Sequence, residues 1–227
     1  HWFVGEEGTA VRLPRVPSPL FRHRLGAAAQ RTIGAYGDDW AGLWEGASQG
    51  DLLLDLAVGA GVERAPLVLV ACAIARRAWP ALPPDDGRPE EAVEAAERYA
   101  RGALRQAELA AAAAAAHAAA QDAGRVVIGP AARACQACRD VARGFSGPGC
   151  LGDAAWAVSQ VAGRVDLRPG APPHRDVRFF PTGAEAEAAR RADDRARADE
   201  AAAQADLVRA AIPLPAVLLA AVMKLGP

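Results

Sequence analysis

"ALPPDDGRPEEAVEAAERYARGALR", residues 81–105, contains the junction that decides how this chain folds. Two adjacent prolines exclude an α-helix at its start, and the Asp-Asp-Gly that follows is a turn signal. Pro89 suits the first turn of a helix, where its missing N–H would have no partner anyway. Glu90 and Glu91 fall in the same turn, where the helix dipole favours negative charge. The stretch therefore predicts the start of a helix, in preference to a pair of catalytic carboxylates.

Alanine-rich segments with helical periodicity fill the chain from Ser48 onward. Alanine has the highest helix propensity, and Ser48 followed by Asp51 resembles a helix N-cap. "HWFVGEEGTAVRLP" at the start reads instead as two short strands around a turn. The chain is therefore predicted to be all-α: an alanine-rich multi-helix bundle over residues 48–227, preceded at 1–47 by a short β-hairpin or irregular segment.

The pattern predicts separate helices in the bundle. They are expected in "LLLDLAVGA", "VERAPLVLVACAIARRAW", "PEEAVEAAERYARGAL", "QAELAAAAAAAHAAAQDAG", "PAARACQACRDVARGF", "AAWAVSQVAGRV", the long "AEAEAARRADDRARADEAAAQADLVRAAIP" and residues 214–224. Trp40 and Trp44 lie four residues apart, so a single helical turn would bury both on one face.

Bulk properties exclude several classes of protein. The net charge of -1 gives no electrostatic footprint for nucleic acid. The longest apolar runs, 65–75 and 211–223, are shorter than the roughly 20 residues of a membrane-spanning helix. Four cysteines do not make a disulfide scaffold in a chain of 227 residues, so we expect a reducing cytoplasm. The chain begins with His1 rather than Met, so the possibility that it is a trimmed or fragmentary product stays open.

Cys135 and Cys138 form a C-x-x-C pair, and Cys150 follows twelve residues later. Together with His117 or His174 they are a candidate zinc site, and the pair alone is a candidate redox motif. The pair lies inside a predicted helix, however, and the sequence has no second C-x-x-C. We therefore expect structural thiols, with no metal and no cofactor.

His117 interrupts a polyalanine helix and is interpreted as a residue at the edge of the core rather than as a base. No Ser/His/Asp arrangement and no phosphate-binding loop stands out. The mixed charges of "ARRADDRARADE", residues 189–200, are typical of a solvated helix face. The sequence therefore predicts no catalytic residue.

Three stretches together resemble an alanine-rich helical family of bacterial immunity proteins, the Imm-5-like type: "VERAPLVLVACAIARRAWPAL", "DDGRPEEAVEAAERYARGAL" and "ADLVRAAIP". The resemblance covers roughly residues 60–224. Gly87 departs from it, since the family more often has the acid directly before Arg-Pro, and residues 164–183 look inserted. The matching residues are Ala71, Cys72, Arg76, Asp86, Arg88, Pro89, Glu94, Ala95, Glu97, Asp206, Val208, Arg209 and Pro213.

The resemblance implies a toxin-neutralising binder, without catalytic residues to carry over. We therefore expect a non-enzymatic helical protein that binds a protein partner, either a toxin or another neighbouring gene product. Two alternatives stay open. One is a structural helical module of a larger assembly, and the other is a metal-binding protein that uses its cysteines.

Two sets of residues follow as expectations. Arg88 should be structural, pairing beside Pro89 with the carboxylate of Asp86 or Asp206. In the loop "HRDVRFF", residues 174–180, the side chains expected to face a partner are Arg175, Arg178 and Phe179. Aromatic and arginine anchors carry most of the affinity at protein interfaces, and long irregular loops in compact domains are often functional. The alternative for this loop is that Phe179 and Phe180 fix it to the core.

Overall fold

Helices make up nearly all of the structure, a computed structural model that describes residues 2–4, 10–12, 36, 39–126, 129–146, 149–165, 167, 183–214 and 217. Within those ranges lie α1 (Trp40–Gly46), α2 (Gly50–Ala60), α3 (Arg64–Arg76), α4 (Arg88–Ala100), α5 (Gln106–Val126), α6 (Pro130–Ala142), α7 (Cys150–Ala162) and α8 (Gly183–Ala211). A 3-10 turn, Trp79–Ala81, follows α3. The prediction of a helical bundle is confirmed for the part of the chain that the structure describes.

Two short strands lie at the start of the chain. β1 (Trp2–Val4) pairs antiparallel with β2 (Ala10–Arg12), and Phe3 lies opposite Val11. The turn between them, residues 5–9, lies outside the described residues. The hairpin therefore stays a prediction, as does most of the terminal helix expected at 214–224.

The junction at residues 81–105 folds as its sequence predicts. α4 begins at Arg88 with Pro89 in its first turn, and Glu90 and Glu91 occupy that turn as well. The other expected helix start is wrong by one residue: the N-cap of α2 is Gln49, not Ser48, and its side chain makes no capping bond. Gly50, the first residue of α2, packs closely on α8, because a Cβ there would lie only 2.5 Å from the Cβ of Gln204.

One hydrophobic core joins all eight helices of the described chain. Its largest side chains include the leucines of α2, and Trp44 of α1 is only 1% exposed within the same core. Helix α1 lies N-terminal of the predicted boundary at residue 48, so the preceding segment contributes to the bundle. The rest of the core is largely alanine, which lets neighbouring helices approach closely.

The packing order places α6 between α5 and α7, with α4 against α3, α5 and α6. The long α8 lies across α2, α3 and α7. No helix in the described ranges combines the length and the apolar character that a membrane crossing needs.

Candidate functional site

The predicted role of Arg88 can be located in the structure. Its Nε donates to Oδ1 of Asp86 over 2.8 Å, and its Nη2 donates to Oδ2 over 2.7 Å. The same Nη2 lies 3.0 Å from Oδ2 of Asp122 on α5. Arg88 thus links the turn before α4 to the neighbouring helix, but its side chain is 38% exposed.

The second candidate partner of Arg88, Asp206, lies elsewhere. Its carboxylate accepts from Nη1 of Arg209, one turn later on α8, over 3.0 Å. The carboxylate that Arg88 contacts on a neighbouring helix is that of Asp122 instead. Sequence spacing could not show whether Asp206 or Asp122 pairs with Arg88, because the partner depends on which helix packs beside α4.

The cysteines are free thiols, and three of them are buried. Burial raises the pKa of Cys72 to about 12 and that of Cys135 to about 11. Burial also raises the pKa of Cys138. Metal binding and redox chemistry both require a thiolate, which this environment disfavours. No group of three or more metal-ligating side chains is found among the described residues.

The loop residues expected to face a partner, Arg175, Arg178 and Phe179, lie outside the described residues. Their role stays a prediction. Trp44 is buried in the core and does not face a partner. Its burial agrees with the expectation for Trp44, while the side chain of Trp40 lies outside what the structure describes.

A cleft of about 540 Å³ opens where the end of α4, the first half of α5 and the end of α6 meet. We call it the α5–α6 cleft. Its lining residues are Tyr99, Gln106, Leu109, Ala110, Ala113, Ala114, His117, Arg139, Ala142, Arg143, Phe145 and Ser146. The rings of Tyr99 and Phe145 meet edge to face with centroids 4.7 Å apart. Alanines of α5 leave the open space between these rings and the basic side chains.

Arg139 and His117 are held together at one side of the cleft. Nε and Nη2 of Arg139 donate to Oδ1 of buried Asp140 over 2.8 and 2.6 Å. Its Nη1 lies 3.2 Å from Nδ1 of His117. An arginine only donates hydrogen bonds, so Nδ1 of His117 is the acceptor in this contact, while its Nε2 lies 3.2 Å from Nε2 of Gln121. The sequence placed His117 at the edge of the core, whereas the structure shows it exposed beside the cleft.

Arg143 differs from Arg139 because its cation is not paired. Arg143 caps the C-terminus of α6, and its side chain is exposed. Among the described residues, no carboxylate or carbonyl accepts a hydrogen bond from its guanidinium. The lining residues of the cleft likewise include no carboxylate in the part of the chain described.

A second surface feature is Trp156 on α7, whose exposure of 41% is unusual for a large apolar residue in this structure. The guanidinium of Arg133 on α6 lies over its ring, 4.9 Å from the centroid. Sequence reasoning looked for anchors in the irregular segments and missed this pair. A signal existed, because Trp156 shares a helical stripe with Asp153 and Gln160 while the residues on either side of it are apolar.

The chain matches no protein-family model, no curated protein and no solved structure.

Proposed function

We propose that this chain is a non-enzymatic helical binding protein that takes a protein partner on the face formed by α6 and α7. The observation that carries the proposal is the exposed ring of Trp156 with Arg133 stacked over it. Tryptophan and arginine are the residue types most enriched among interface hot spots. Elsewhere the described surface is largely alanine and mixed charge, which offers few anchors.

The rigidity of the pair supports this role. Arg133 stands on α6 and Trp156 on α7, two helices that pack closely against each other. The guanidinium and the indole contact each other on these packed helices, which lowers the entropy lost on binding. A partner with an apolar pocket for the indole and an acidic rim for the guanidinium would fit this face.

The resemblance to Imm-5-like proteins suggests what the partner is. We propose the product of a neighbouring gene, a toxin that this chain neutralises by occlusion. Free thiols at all four cysteines support a reducing cytoplasm as its compartment. A structural module in a larger assembly is the alternative, and it would use the same face to bind another component of that assembly.

The test is binding of the purified chain to the purified product of the adjacent gene. We expect Trp156→Ala and Arg133→Ala each to weaken binding by about 30-fold or more, the effect of a hot spot worth 2 kcal/mol. Arg105→Ala is the matched control, because its side chain is 88% exposed and it lies just before the start of α5, on neither helix of the proposed face. Binding that both variants retain at full strength would contradict the proposed face.

A second arm tests the loop prediction separately. Deleting residues 170–181 removes Arg175, Arg178 and Phe179 and should leave the helical circular-dichroism signal intact. If this deletion abolishes binding, the loop takes part in the interface. If binding survives while Trp156→Ala abolishes it, the interface is confined to α6 and α7.

A further inference from the structure

We propose that the α5–α6 cleft binds a small organic monoanion, a carboxylate carried on an aromatic or other apolar body. This inference goes beyond the protein-binding role and uses different side chains. Its basis is Arg143, which forms no ion pair with a described residue, at a cleft with an apolar floor and an aromatic wall.

The size and lining of the cleft fit a small molecule. Its volume of about 540 Å³ lies within the roughly 300–1,000 Å³ typical of ligand sites. Leu109 and Ala113 on α5 are nearly fully buried and form an apolar floor. Tyr99 and Phe145 stand at one wall as an edge-to-face pair, which offers an aromatic surface for a flat ligand.

The charge of the cleft selects the ligand's charge. Two of the described lining residues are arginines, and the cation of Arg139 is offset by its ion pair with Asp140. The Nδ1 of His117 lies within hydrogen-bond distance of the guanidinium of Arg139, so this arginine is engaged on both of its sides. Arg143 forms no ion pair with any described carboxylate, so a single negative charge complements the cleft.

Arginine also favours a carboxylate in particular, because its planar guanidinium matches the two oxygens in a bidentate bond. The apolar floor disfavours a fully hydrated ion such as inorganic phosphate, which would leave it uncovered. Without Arg143, the same floor would accept a neutral ligand equally well. The combination predicts a ranking in which an aromatic carboxylate binds more tightly than its neutral amide and more tightly than phosphate.

The experiment compares three probes on the full chain: 3-phenylpropionate, 3-phenylpropionamide and inorganic phosphate. Binding is followed by two-dimensional NMR, with the backbone amides of Gln106, Phe145 and Ser146 as reporters. We expect saturable binding of the carboxylate at these amides, with the amide and phosphate each at least about tenfold weaker. A tenfold difference corresponds to about 1.4 kcal/mol.

Variants test the charge of Arg143 and the open volume of the cleft separately. Arg143→Gln should weaken 3-phenylpropionate about tenfold, while Arg195→Gln, which removes an exposed arginine of α8, should leave it unchanged. Ala110→Phe, at an exposed position on the cleft side of α5, should block the cleft while leaving every charge in place. Circular dichroism confirms that each variant is folded.

Three outcomes would overturn the proposal: no saturable shift with the carboxylate, equal affinity for carboxylate and amide, or full affinity in folded Arg143→Gln. The result is independent of the protein-binding role. Trp156→Ala should leave probe binding intact, and Arg143→Gln should leave binding of the protein partner intact.

Discussion

Arg209, in the last turn of α8, donates from Nε to the main-chain carbonyl of Trp44 over 2.8 Å. Its Nη2 donates to the carbonyl of Ala47, just beyond the end of α1. The bonded residues are 165 positions apart in the sequence. The guanidinium therefore caps α1 and joins it to α8.

Replacing Arg209 should destabilise the whole bundle. In Arg209→Ala the two carbonyl oxygens lose their donor, and we expect the free energy of unfolding to fall by about 1–3 kcal/mol. Urea unfolding followed by tryptophan fluorescence measures the loss and also reports on Trp44. Arg195→Ala, on the exposed face of α8, is the control and should stay within about 0.5 kcal/mol of the wild type. Equal stability of the two variants would contradict the capping role.

Glu200 should matter more than any other carboxylate on α8. Its side chain is only 5% exposed, and it accepts from Nε and Nη2 of Arg77, both over 2.7 Å. Gln204 donates to the same carboxylate over 3.1 Å. Because Arg77 is partly exposed and can turn to solvent, we expect Glu200→Ala to cost about 2 kcal/mol rather than the full cost of a stranded buried charge.

The matched control is Glu187→Ala, which removes a carboxylate that is 61% exposed and pairs with Arg191 on the same helix. Exposed pairs of this kind contribute little, so the control should change stability by less than about 0.5 kcal/mol. Thermal unfolding of both variants provides the comparison. A Glu200→Ala protein as stable as the control would show that the contact between α3 and α8 does not depend on this pair.

The Arg88 pair should respond to pH and salt. The hydrogen bond from Arg88 is the main reason that the pKa of Asp86 lies below its ordinary value of 3.8. A carboxyl with a depressed folded pKa stabilises the protein above its unfolded pKa, and this contribution is lost as the pH falls through the folded pKa. The stability difference between wild type and Arg88→Ala should therefore be present at pH 7 and shrink below about pH 4.

Exposure adds a second expectation for Arg88. Since its side chain is 38% exposed, the difference at pH 7 should also shrink in high salt and be smaller than that of Glu200→Ala. Urea unfolding at pH 7 and pH 3, with and without salt, measures both effects. A difference that is independent of pH and salt would mean that Arg88 acts through packing rather than through its charge.

Local rules predicted the helices and the junction before α4, because proline placement, alanine propensity and charge at a helix end act within a few residues. Contacts between helices that are distant in the sequence were harder to predict. The sequence indicated Asp86 as a partner of Arg88 but not Asp122 on α5. The α5–α6 cleft was missed for the same reason: Tyr99, His117 and Arg143 belong to three segments that only the packing of the helices brings together.

Trp156 shows a different limit of prediction from sequence, which concerns the burial of a side chain. Its apolar neighbours in sequence suggest a core position, while its exposure follows from which face of α7 meets α2 and α6. Trp44 is the contrasting case, since its spacing from Trp40 predicted that its indole would be buried although the stretch around it is rich in glycine. The environment of Trp156 is set by tertiary packing, which composition does not report.

The last prediction concerns the thiols. Cys72, Cys135 and Cys138 are buried, and burial raises the pKa of each above its ordinary value, to about 12 for Cys72. The Sγ of Cys72 lies 3.7 Å from the carbonyl of Val93, a contact that a protonated thiol makes as donor. We therefore expect these three thiols to react slowly with a disulfide reagent at pH 8 in the folded protein.

Cys150 provides the internal comparison, because it is only half-buried at the start of α7. It should account for the fastest phase of labelling, and Cys150→Ser should remove that phase, while urea should make all the remaining thiols reactive. Elemental analysis of the purified protein should show less than one equivalent of zinc. A full equivalent that is lost in Cys135→Ser/Cys138→Ser would contradict the structural role of these thiols and favour the metal-binding alternative, since only thiolates would hold the ion.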